Sequence, residues 1–433
     1  MSQSRIAINT LSQLANRLLV ILISLATTAF LTRVLGSSGY GNYIFVTSFV
    51  FVFIGLSDFG TTTIAVRETS LDRKKAVTLF GNVLGLRLLL SSVLFVLLNI
   101  LIFFLPQFSG LKQASFIASV MVFFLTLRTT AQAVLQTYLH LDIASLPEGL
   151  ASLFFLGLLI VFNIFRGSIS LPLLMVFWSL SALVSSVVGL SFSAKYLKIR
   201  PLFQKEVIKS LLRESSPLGV YLLVYAVYDR GIDSFILKTF KTSRDIGYYG
   251  LAYKIHGNLI LGAAFLMNSL FPLISRLKTN LSSLRQTFER TFTLLFLSGL
   301  VVLIFGFFLS PLVIFILAGP NFAPSIAALR ILLLATAVSY LNHLTGYLLI
   351  ALGEQKKLLS YSLMAFFLNL FLNLIFIPQF SFLAAAWVTV LTELSLLLTT
   401  KKFLSKKYRL NFSFPTFLKN MKILLVKKEN YFG

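Results

Sequence analysis

The sequence predicts an all-α polytopic membrane protein with twelve transmembrane helices in two six-helix halves. Three observations indicate this fold class. Apolar segments of membrane-spanning length recur along the chain, charged residues are scarce, and the longest basic gap divides the apolar segments evenly. Charged residues make up 12% of the 433 residues, which is about half the share typical of soluble proteins. The polar residues inside the membrane therefore carry the functional information, because they are costly in lipid.

The individual spans follow from length, since a transmembrane helix needs about 20 apolar residues. The first six spans are predicted near 9–32, 41–65, 77–105, 114–138, 146–165 and 170–194. The second six are predicted near 216–239, 246–275, 287–317, 324–352, 358–377 and 381–400. The first apolar block is too long for the apolar core of a signal peptide and lacks a small-residue cleavage site. We therefore expect it to be retained as a helix.

The basic gap Lys195–Arg213 divides the chain in the middle. Short Gly/Tyr-rich turns at 35–43 and 242–250 follow spans one and seven, and this faint repeat favours two related halves, a common plan among transporters. The predicted regions are an N-terminal six-helix lobe (1–194), a cytoplasmic basic linker (195–215), a C-terminal six-helix lobe (216–402) and a basic cytoplasmic tail (403–433).

The net charge of +24 comes from 38 Lys and Arg against 14 Asp and Glu. We expect no nucleic-acid partner, because basic residues of membrane proteins concentrate in cytoplasmic loops. With the N-terminus inside, few basic residues fall in outer loops, and both termini are predicted to be cytoplasmic in a multi-pass protein of the cell membrane. The outer loops then hold Arg33, Lys112, Arg166, Lys238, Lys241 and Arg244.

Charged residues within the spans are the first candidates for a functional site, since each costs about 2.5–3.5 kcal/mol at a helix centre. Arg17 and Arg87 lie about two helical turns into their spans, so they either face a cavity or extend to the lipid headgroups. Arg230 and Lys254 lie deeper, in spans seven and eight. Asp58 lies deep in span two, two residues before the flexible Gly60. Its predicted partner is Arg17 or Arg87.

Two carboxylates are one turn apart on span seven. Asp229 and Asp233 therefore share a helix face. Adjacent carboxylates on a buried face favour binding of a proton or Na⁺, whereas structural ion pairs with Arg230 and Lys254 are the alternative.

Oxygen-bearing side chains form a second candidate group. Asn369 and Asn373 are one turn apart on span eleven, and Thr392 lies on span twelve. Such oxygens suit a small hard cation, and hydrogen bonding between helices is the alternative. We expect Na⁺ or H⁺ as the coupling ion and no other cofactor or metal. Without cysteine, disulfides and thiolate metal sites are excluded.

Enzymatic activity is not expected. The sequence contains no Gly-x-x-x-x-Gly-Lys-Ser/Thr phosphate loop and no His-Glu-x-x-His motif. No loop is long enough for a soluble catalytic domain, so ATP-driven transport would need another subunit.

Several segments resemble the polysaccharide-type flippases of the multidrug/oligosaccharidyl-lipid/polysaccharide exporter superfamily, and the resemblance extends from about Arg5 to Lys402. Their order and spacing are more specific than any one motif. The segments are Thr-Arg-Val-Leu-Gly-Ser-Ser-Gly-Tyr-Gly at 32–41, Asp-Phe-Gly at 58–60 with Arg67-Glu68, Ile-Gly-Tyr-Tyr-Gly-Leu-Ala-Tyr-Lys at 246–254, and Asn-Leu-Ile-Phe-Ile-Pro at 373–378 with Ala384–Ala386.

The resemblance implies two six-helix lobes around a central cavity. It also implies ion-coupled movement of a lipid-linked oligosaccharide, carried on polyprenyl pyrophosphate, from the cytoplasmic to the outer leaflet for cell-surface polysaccharide synthesis. Arg17, Arg87, Arg230 and Lys254, with Asp58, would then form the site for the anionic headgroup, because arginine binds phosphate in bidentate fashion. The expected partners are this substrate, membrane lipids, and a polysaccharide polymerase or glycosyltransferases of the same pathway. A monomer is expected.

The chain is also similar to lipid II flippases that carry a sodium site between spans seven, eleven and twelve. Asp233 or Asp229, Asn369, Asn373 and Thr392 fall in comparable places, although Asn373 stands where an acidic residue is expected. The alternative function is a multidrug and toxin extrusion antiporter of the same superfamily. Such antiporters commonly carry an acidic residue in span one, and Ile8–Thr32 has none.

Overall fold

The protein is described by a computed structural model that covers residues 3–227, 232–277 and 280–411, with 417–418 and 420–422 in the tail. All regular secondary structure in these residues is helical. The helices are α1 (Gln3–Asp58), α2 (Thr61–Leu71), α3 (Ala76–Phe104), α4 (Lys112–Ser119), α5 (Met121–Thr137), α6 (Leu141–Arg166), α7 (Leu171–Ala194), α8 (Lys205–Ala226), α9 (Ile232–Phe240), α10 (Ser243–Arg276), α11 (Leu281–Ala318), α12 (Pro324–Ala351) and α13 (Gln355–Tyr408).

Within the described residues, nine continuous helical segments are long and apolar enough to cross a membrane. The segments containing α1 and α13 are each bent at one residue, and each carries two predicted spans. Predicted span seven, 216–239, falls on α8 and α9, and the residues between them lie outside the described part of the chain. In the described part of the chain, the predicted spans thus fall on helices with only short breaks, which confirms the all-α polytopic membrane fold.

The two bends are sharp because single residues leave the helical conformation. Gly36 bends α1 with a φ of 64°, in the left-handed region that glycine adopts without strain. Ser381 bends α13 with a φ of 55°, three residues after Pro378, which cannot donate a helical hydrogen bond. The predicted Gly/Tyr turn at 35–43 is therefore wrong in length, since helix resumes directly after Gly36.

Predicted span two is also interrupted. Helix α1 ends at Asp58 and α2 begins at Thr61, while Phe59 and Gly60 have φ angles of 42° and 74°. The break packs closely on α8, because a Cβ added to Gly219 would lie 2.7 Å from Phe59 Cδ1. Interrupted helices at membrane depth are tolerated where protein surrounds them, and here α8 supplies that surface.

The segment between α7 and α8 lies on α3. The backbone amide of Leu202 donates to Gly81 O at 2.9 Å, and that of Gln204 donates to Asn82 Oδ1 at 2.7 Å. Helix α8 begins at Lys205, well before predicted span seven. The span was predicted from apolar residues alone, and the first turns of α8 are polar.

The chain divides into two compact units, Met1–Gly247 and Tyr248–Gly433. In the first unit, an apolar cluster that includes Ile64, Phe80 and Val134 joins α2, α3 and α5. In the second, a larger cluster joins α10, α11, α12 and α13. Large apolar side chains on α3 and α11 remain exposed, as a surface in contact with lipid requires. The predicted division into four regions stays a prediction.

Candidate functional site

Arg87 lies at the centre of a buried polar cluster in the first unit. Helix α3 carries it with an exposed fraction of only 1%. Its Nη1 lies 3.3 Å from Asp58 Oδ1 at the end of α1. The same nitrogen donates to Thr62 Oγ1 at 2.8 Å and to Thr130 Oγ1 at 3.0 Å, and Nη2 donates to Thr129 Oγ1 at 2.6 Å. One guanidinium thus connects α1, α2, α3 and α5 beside the break in span two.

Of the two partners predicted for Asp58, the structure selects Arg87. Thr62 on α2 also donates to the Asp58 carboxylate, so both sides of the helix break are connected through this group. In this conformation the guanidinium of Arg87 is engaged and buried. Direct binding of a headgroup by Arg87 therefore stays a prediction, whereas its contacts position Asp58.

Arg17 belongs to a different cluster. Its Nη1 lies 3.7 Å from Glu148 Oε1 on α6, and Arg128 Nη1 on α5 lies 3.7 Å from the other oxygen of the same carboxylate. The side chains of Arg17 and Glu148 are 44% and 38% exposed, and that of Arg128 is 21% exposed. Two cations share one carboxylate at long distances, so the cluster carries one excess positive charge with accessible donors.

Sequence reasoning missed Glu148. It lies at the third residue of predicted span five, 146–165, where a small shift of the boundary would place it outside the membrane. The sequence offers no signal for this helix start, because Pro147 favours a helix that begins near residue 147, whereas α6 begins at Leu141. Asn16 on α1 supports the same contact, since its Nδ2 donates to Ser145 O at 2.9 Å.

The structure does not bring the remaining predicted charged residues together in one described cluster. Asp229 and Arg230 lie outside the described residues. Asp233 is half-buried in the first turn of α9, in the first unit. Lys254 is half-buried on α10, in the second unit.

Asn369, Asn373 and Thr392 come together in the second unit, as the sequence predicted for neighbouring spans. Asn373 Nδ2 donates to Asn369 Oδ1 at 2.9 Å, and Asn369 Nδ2 lies 3.4 Å from Thr392 Oγ1. All three side chains are buried. Thr389, one turn before Thr392, pairs with Tyr249 of α10 at 3.3 Å. The cluster is uncharged and hydrogen-bonded, so a cation bound there would meet neutral oxygen ligands.

A second polar contact in this unit was not predicted. Asn342 on α12 donates through Nδ2 to Glu393 Oε2 at 2.7 Å and to Glu393 O at 2.9 Å. The sequence placed Glu393 inside span twelve but gave it no partner. Among the described residues, no group of three or more His, Asp or Glu side chains is arranged to hold a metal ion.

Residues 5–278 match the model of a family described as "Polysaccharide biosynthesis protein". No curated protein matches the chain.

Several solved structures share this fold. The lipid II flippase MurJ in an inward closed conformation superposes with a TM-score of 0.79 at 14% identity, covering 98% of this chain and 94% of that one. An inward-facing multidrug resistance MATE family transporter gives 0.69 at 17% identity, covering 97% and 99%. A MOP superfamily transporter from Pyrococcus furiosus Vc1 gives 0.61 at 16% identity, covering 98% and 96%. At these identities the similarity shows a shared fold.

Proposed function

Because the chain belongs to the polysaccharide biosynthesis protein family, we propose that it is a flippase. It moves a polyprenyl-pyrophosphate-linked oligosaccharide from the cytoplasmic to the outer leaflet of the cell membrane by ion-coupled alternating access. The family match and the transporter fold support a flippase or transporter of a lipid-linked substrate. Both termini face the cytoplasm. The oligosaccharide lipid and membrane lipids are the partners, with a polymerase or glycosyltransferases acting in the same pathway.

The cluster of Arg17, Glu148 and Arg128 is the observation that carries the headgroup part of the proposal. It combines partly exposed arginines with an excess positive charge at membrane depth. A pyrophosphate offers several anionic oxygens, and an arginine fork donates two parallel hydrogen bonds to such a group. Since both ion pairs are 3.7 Å long, the substrate competes with a single, weakly held carboxylate.

Arg87 and Asp58 have a supporting role in this mechanism. Their ion pair holds the interrupted span two against α3 and α5. A substrate-dependent rearrangement at the break would require these contacts to stay intact while the ends of α1 and α2 change angle. Arg87 and Asp58 are therefore positioning residues, and Arg17 and Arg128 are the binding residues.

The residues that would bind the coupling ion are assigned from the sequence. Asp233 and the cluster of Asn369, Asn373 and Thr392 are the candidates from the sequence, with Na⁺ or H⁺ as the ion. A multidrug antiporter shares the fold, but a site for organic cations requires acidic residues. The partly exposed intramembrane cluster in the first unit is basic, which favours an anionic substrate.

The test is flipping of a fluorescent polyprenyl-pyrophosphate oligosaccharide in proteoliposomes, with and without an imposed ion gradient. We expect protein-dependent flipping by the wild type. In R17A, flipping should fall about tenfold or more, because a hydrogen bond to a charged group contributes about 1.5–3 kcal/mol. R17A/R128A should fall further.

The matched control is R166A, which removes an exposed arginine from the far end of α6, the helix that carries Glu148. It should flip at the wild-type rate. Wild-type flipping by R17A/R128A would refute the headgroup site while leaving the flippase function intact. Absence of flipping by the wild type, together with gradient-driven efflux of a cationic dye from the same vesicles, would instead favour the antiporter.

A further inference from the structure

The contact between Asn342 and Glu393 leaves one polar atom unsatisfied. Asn342 Nδ2 donates to both the side chain and the main chain of Glu393. Asn342 Oδ1 is buried, and it has no hydrogen-bond partner among the residues that the structure describes. A buried acceptor without a donor costs about 1–3 kcal/mol. This half-satisfied amide therefore needs a donor from some source.

The neighbouring carboxyl group can supply that donor in only one protonation state. An ionised carboxylate is purely an acceptor, whereas a protonated carboxyl keeps an acceptor oxygen and gains one O–H donor. The two polar atoms of an asparagine lie in one amide plane, and Asn342 Nδ2 is 2.7 Å from Glu393 Oε2. A protonated Glu393 can thus accept from Asn342 Nδ2 and donate to Asn342 Oδ1 at the same time.

We propose that Glu393 and Asn342 form a proton-binding site in the membrane-spanning part of the second unit. The bound proton supplies the donor that Asn342 Oδ1 lacks, and it removes a negative charge from the interior of span twelve. Glu393 lies about 10 Å from the predicted cytoplasmic end of that span at residue 400. Glu393 and Thr392 are adjacent along α13 and therefore lie on different sides of the helix, so the site is separate from the cluster of Asn369, Asn373 and Thr392.

Other titratable groups lie on the helices packed against this contact. His343 follows Asn342 on α12, and its Nδ1 lies 2.8 Å from Ser339 O, an acceptor that fixes a proton on that nitrogen. On α10, His256 is buried with Nδ1 2.8 Å from Thr336 Oγ1. Lys254 on the same helix supplies a positive charge. Protonation of Glu393 changes the net charge of the region in which α10, α12 and α13 pack together.

This proposal deepens the proposed ion coupling by naming the proton as the ion. Only its consequence for transport rests on the proposed function, and proton binding itself is testable without transport. The direct measurement is the pH-dependent infrared difference spectrum of the purified protein in lipid. A protonated carboxyl group gives a C=O stretching band that a carboxylate lacks.

We expect a carboxylic C=O band that rises as the pH falls and disappears in E393Q. In N342L the band should remain but move to higher wavenumber, because the C=O group loses the donor Asn342 Nδ2. The matched control is E354Q, which removes a carboxylate from the turn before α13 and should leave this band in place. Absence of a band assignable to Glu393, or a band at the same wavenumber in N342L, would overturn the proposal.

Transport gives a second readout. E393Q mimics the protonated side chain, so its flipping should lose the response to a pH gradient while the protein stays folded. If E393Q abolishes the infrared band but wild-type flipping never responds to a pH gradient, the proton site stands and proton coupling of the proposed function fails. If the wild type responds to the gradient and the band is absent, the coupling group lies elsewhere and the assignment of Glu393 is wrong.

Discussion

Arg87 and Asp58 form an ion pair of 3.3 Å across the interrupted span two, with Arg87 only 1% exposed. The pair joins α3 to the end of α1, and three threonine hydroxyls accept hydrogen bonds from Nη1 and Nη2 of Arg87. The buried Nε has no hydrogen-bond partner among the described residues. A buried ion pair is weak evidence for stability, yet removal of one partner is costly because the other charge is left uncompensated.

The first prediction concerns that asymmetry. R87M should lower the free energy of unfolding by about 3–5 kcal/mol, whereas R87M/D58L should lose less than R87M alone because no isolated charge remains. The measurement is thermal unfolding of the purified protein in one detergent. R330M is the control, since Arg330 of α12 lies over Phe307 of α11 and has no carboxylate partner among the described residues. An equal loss in R87M and R87M/D58L would contradict the ion-pair account.

The sequence placed the charged residues on predicted spans but did not settle which of them pair. The length of the apolar segments placed Asp58, Arg87 and Arg17 inside spans. Which of them meet depends on the rotation of each helix about its axis. The apolar pattern specifies this rotation poorly, because lipid-facing and protein-facing positions are both apolar. For this reason the sequence did not indicate that Arg17 pairs with Glu148.

The cluster of Asn369, Asn373 and Thr392 was predictable because its contacts depend on short-range spacing and not on the rotation of distant helices. Two asparagines one turn apart must share a helix face, and a short connection places the next span beside them. Their hydrogen bonds follow from that local geometry. The contact between Asn342 and Glu393 joins residues 51 positions apart, and no short-range pattern indicates it.

The second prediction concerns Gly41 on α1 and Gly247 on α10, which belong to the two Gly/Tyr segments. A Cβ added to Gly41 would lie 2.9 Å from Gly247 N and would overlap the carbonyl group of Ser243. One added to Gly247 would lie 3.3 Å from Gly41 N and would overlap the carbonyl of Ser37. G41A and G247A should each lower the melting temperature, because backbone must move to admit a methyl group.

Polar side chains also stabilise the contact between the Gly41 and Gly247 segments. Ser243 Oγ donates to Asn42 Oδ1 at 2.7 Å, and Lys238 Nζ lies 3.1 Å from the same oxygen. The control for the glycine variants is G257A on α10, where an added Cβ meets nothing within 4 Å. It should be neutral or stabilising, by up to about 1 kcal/mol. Equal melting temperatures for G41A and G257A would show that the two segments can separate without cost.

The third prediction concerns the docking of the segment between α7 and α8 on α3. Gly85 admits the Leu202 carbonyl, and Asn82 holds both the backbone and the side chain of Gln204. G85A and N82A should release this segment, which contains the trypsin sites Lys195 and Lys198. Limited trypsin digestion in detergent should therefore cut both variants faster than the wild type, by several-fold.

The control for this experiment is G157A on α6, where an added Cβ meets nothing within 4 Å. It should be cut at the wild-type rate. The cleavage site is identified by the masses of the two fragments, which separates local release from general unfolding. Unchanged cleavage between α7 and α8 in both G85A and N82A would mean that other contacts hold the segment.

The fourth prediction is a pH dependence at the turn between α12 and α13. Glu354 accepts hydrogen bonds from Lys407 and from Tyr408 Oη, the latter at 2.7 Å. These donors, Lys407 first, hold the pKa of Glu354 below its ordinary value of 4.5. A carboxyl group with a lowered pKa in the folded state stabilises that state fully above its unfolded pKa, and the contribution is lost as the pH falls through the folded value.

The wild type should therefore lose more melting temperature than E354Q when the pH is lowered from 7 to below about 4.5, while the two should differ by a constant amount above pH 6. K407Q tests the cause, because without Lys407 the pKa of Glu354 should lie closer to its ordinary value and the acid-dependent loss should shrink. Melting curves at matched ionic strength measure both effects. Parallel loss of stability in the wild type and E354Q across the acid range would show that Glu354 contributes nothing to folding through its charge.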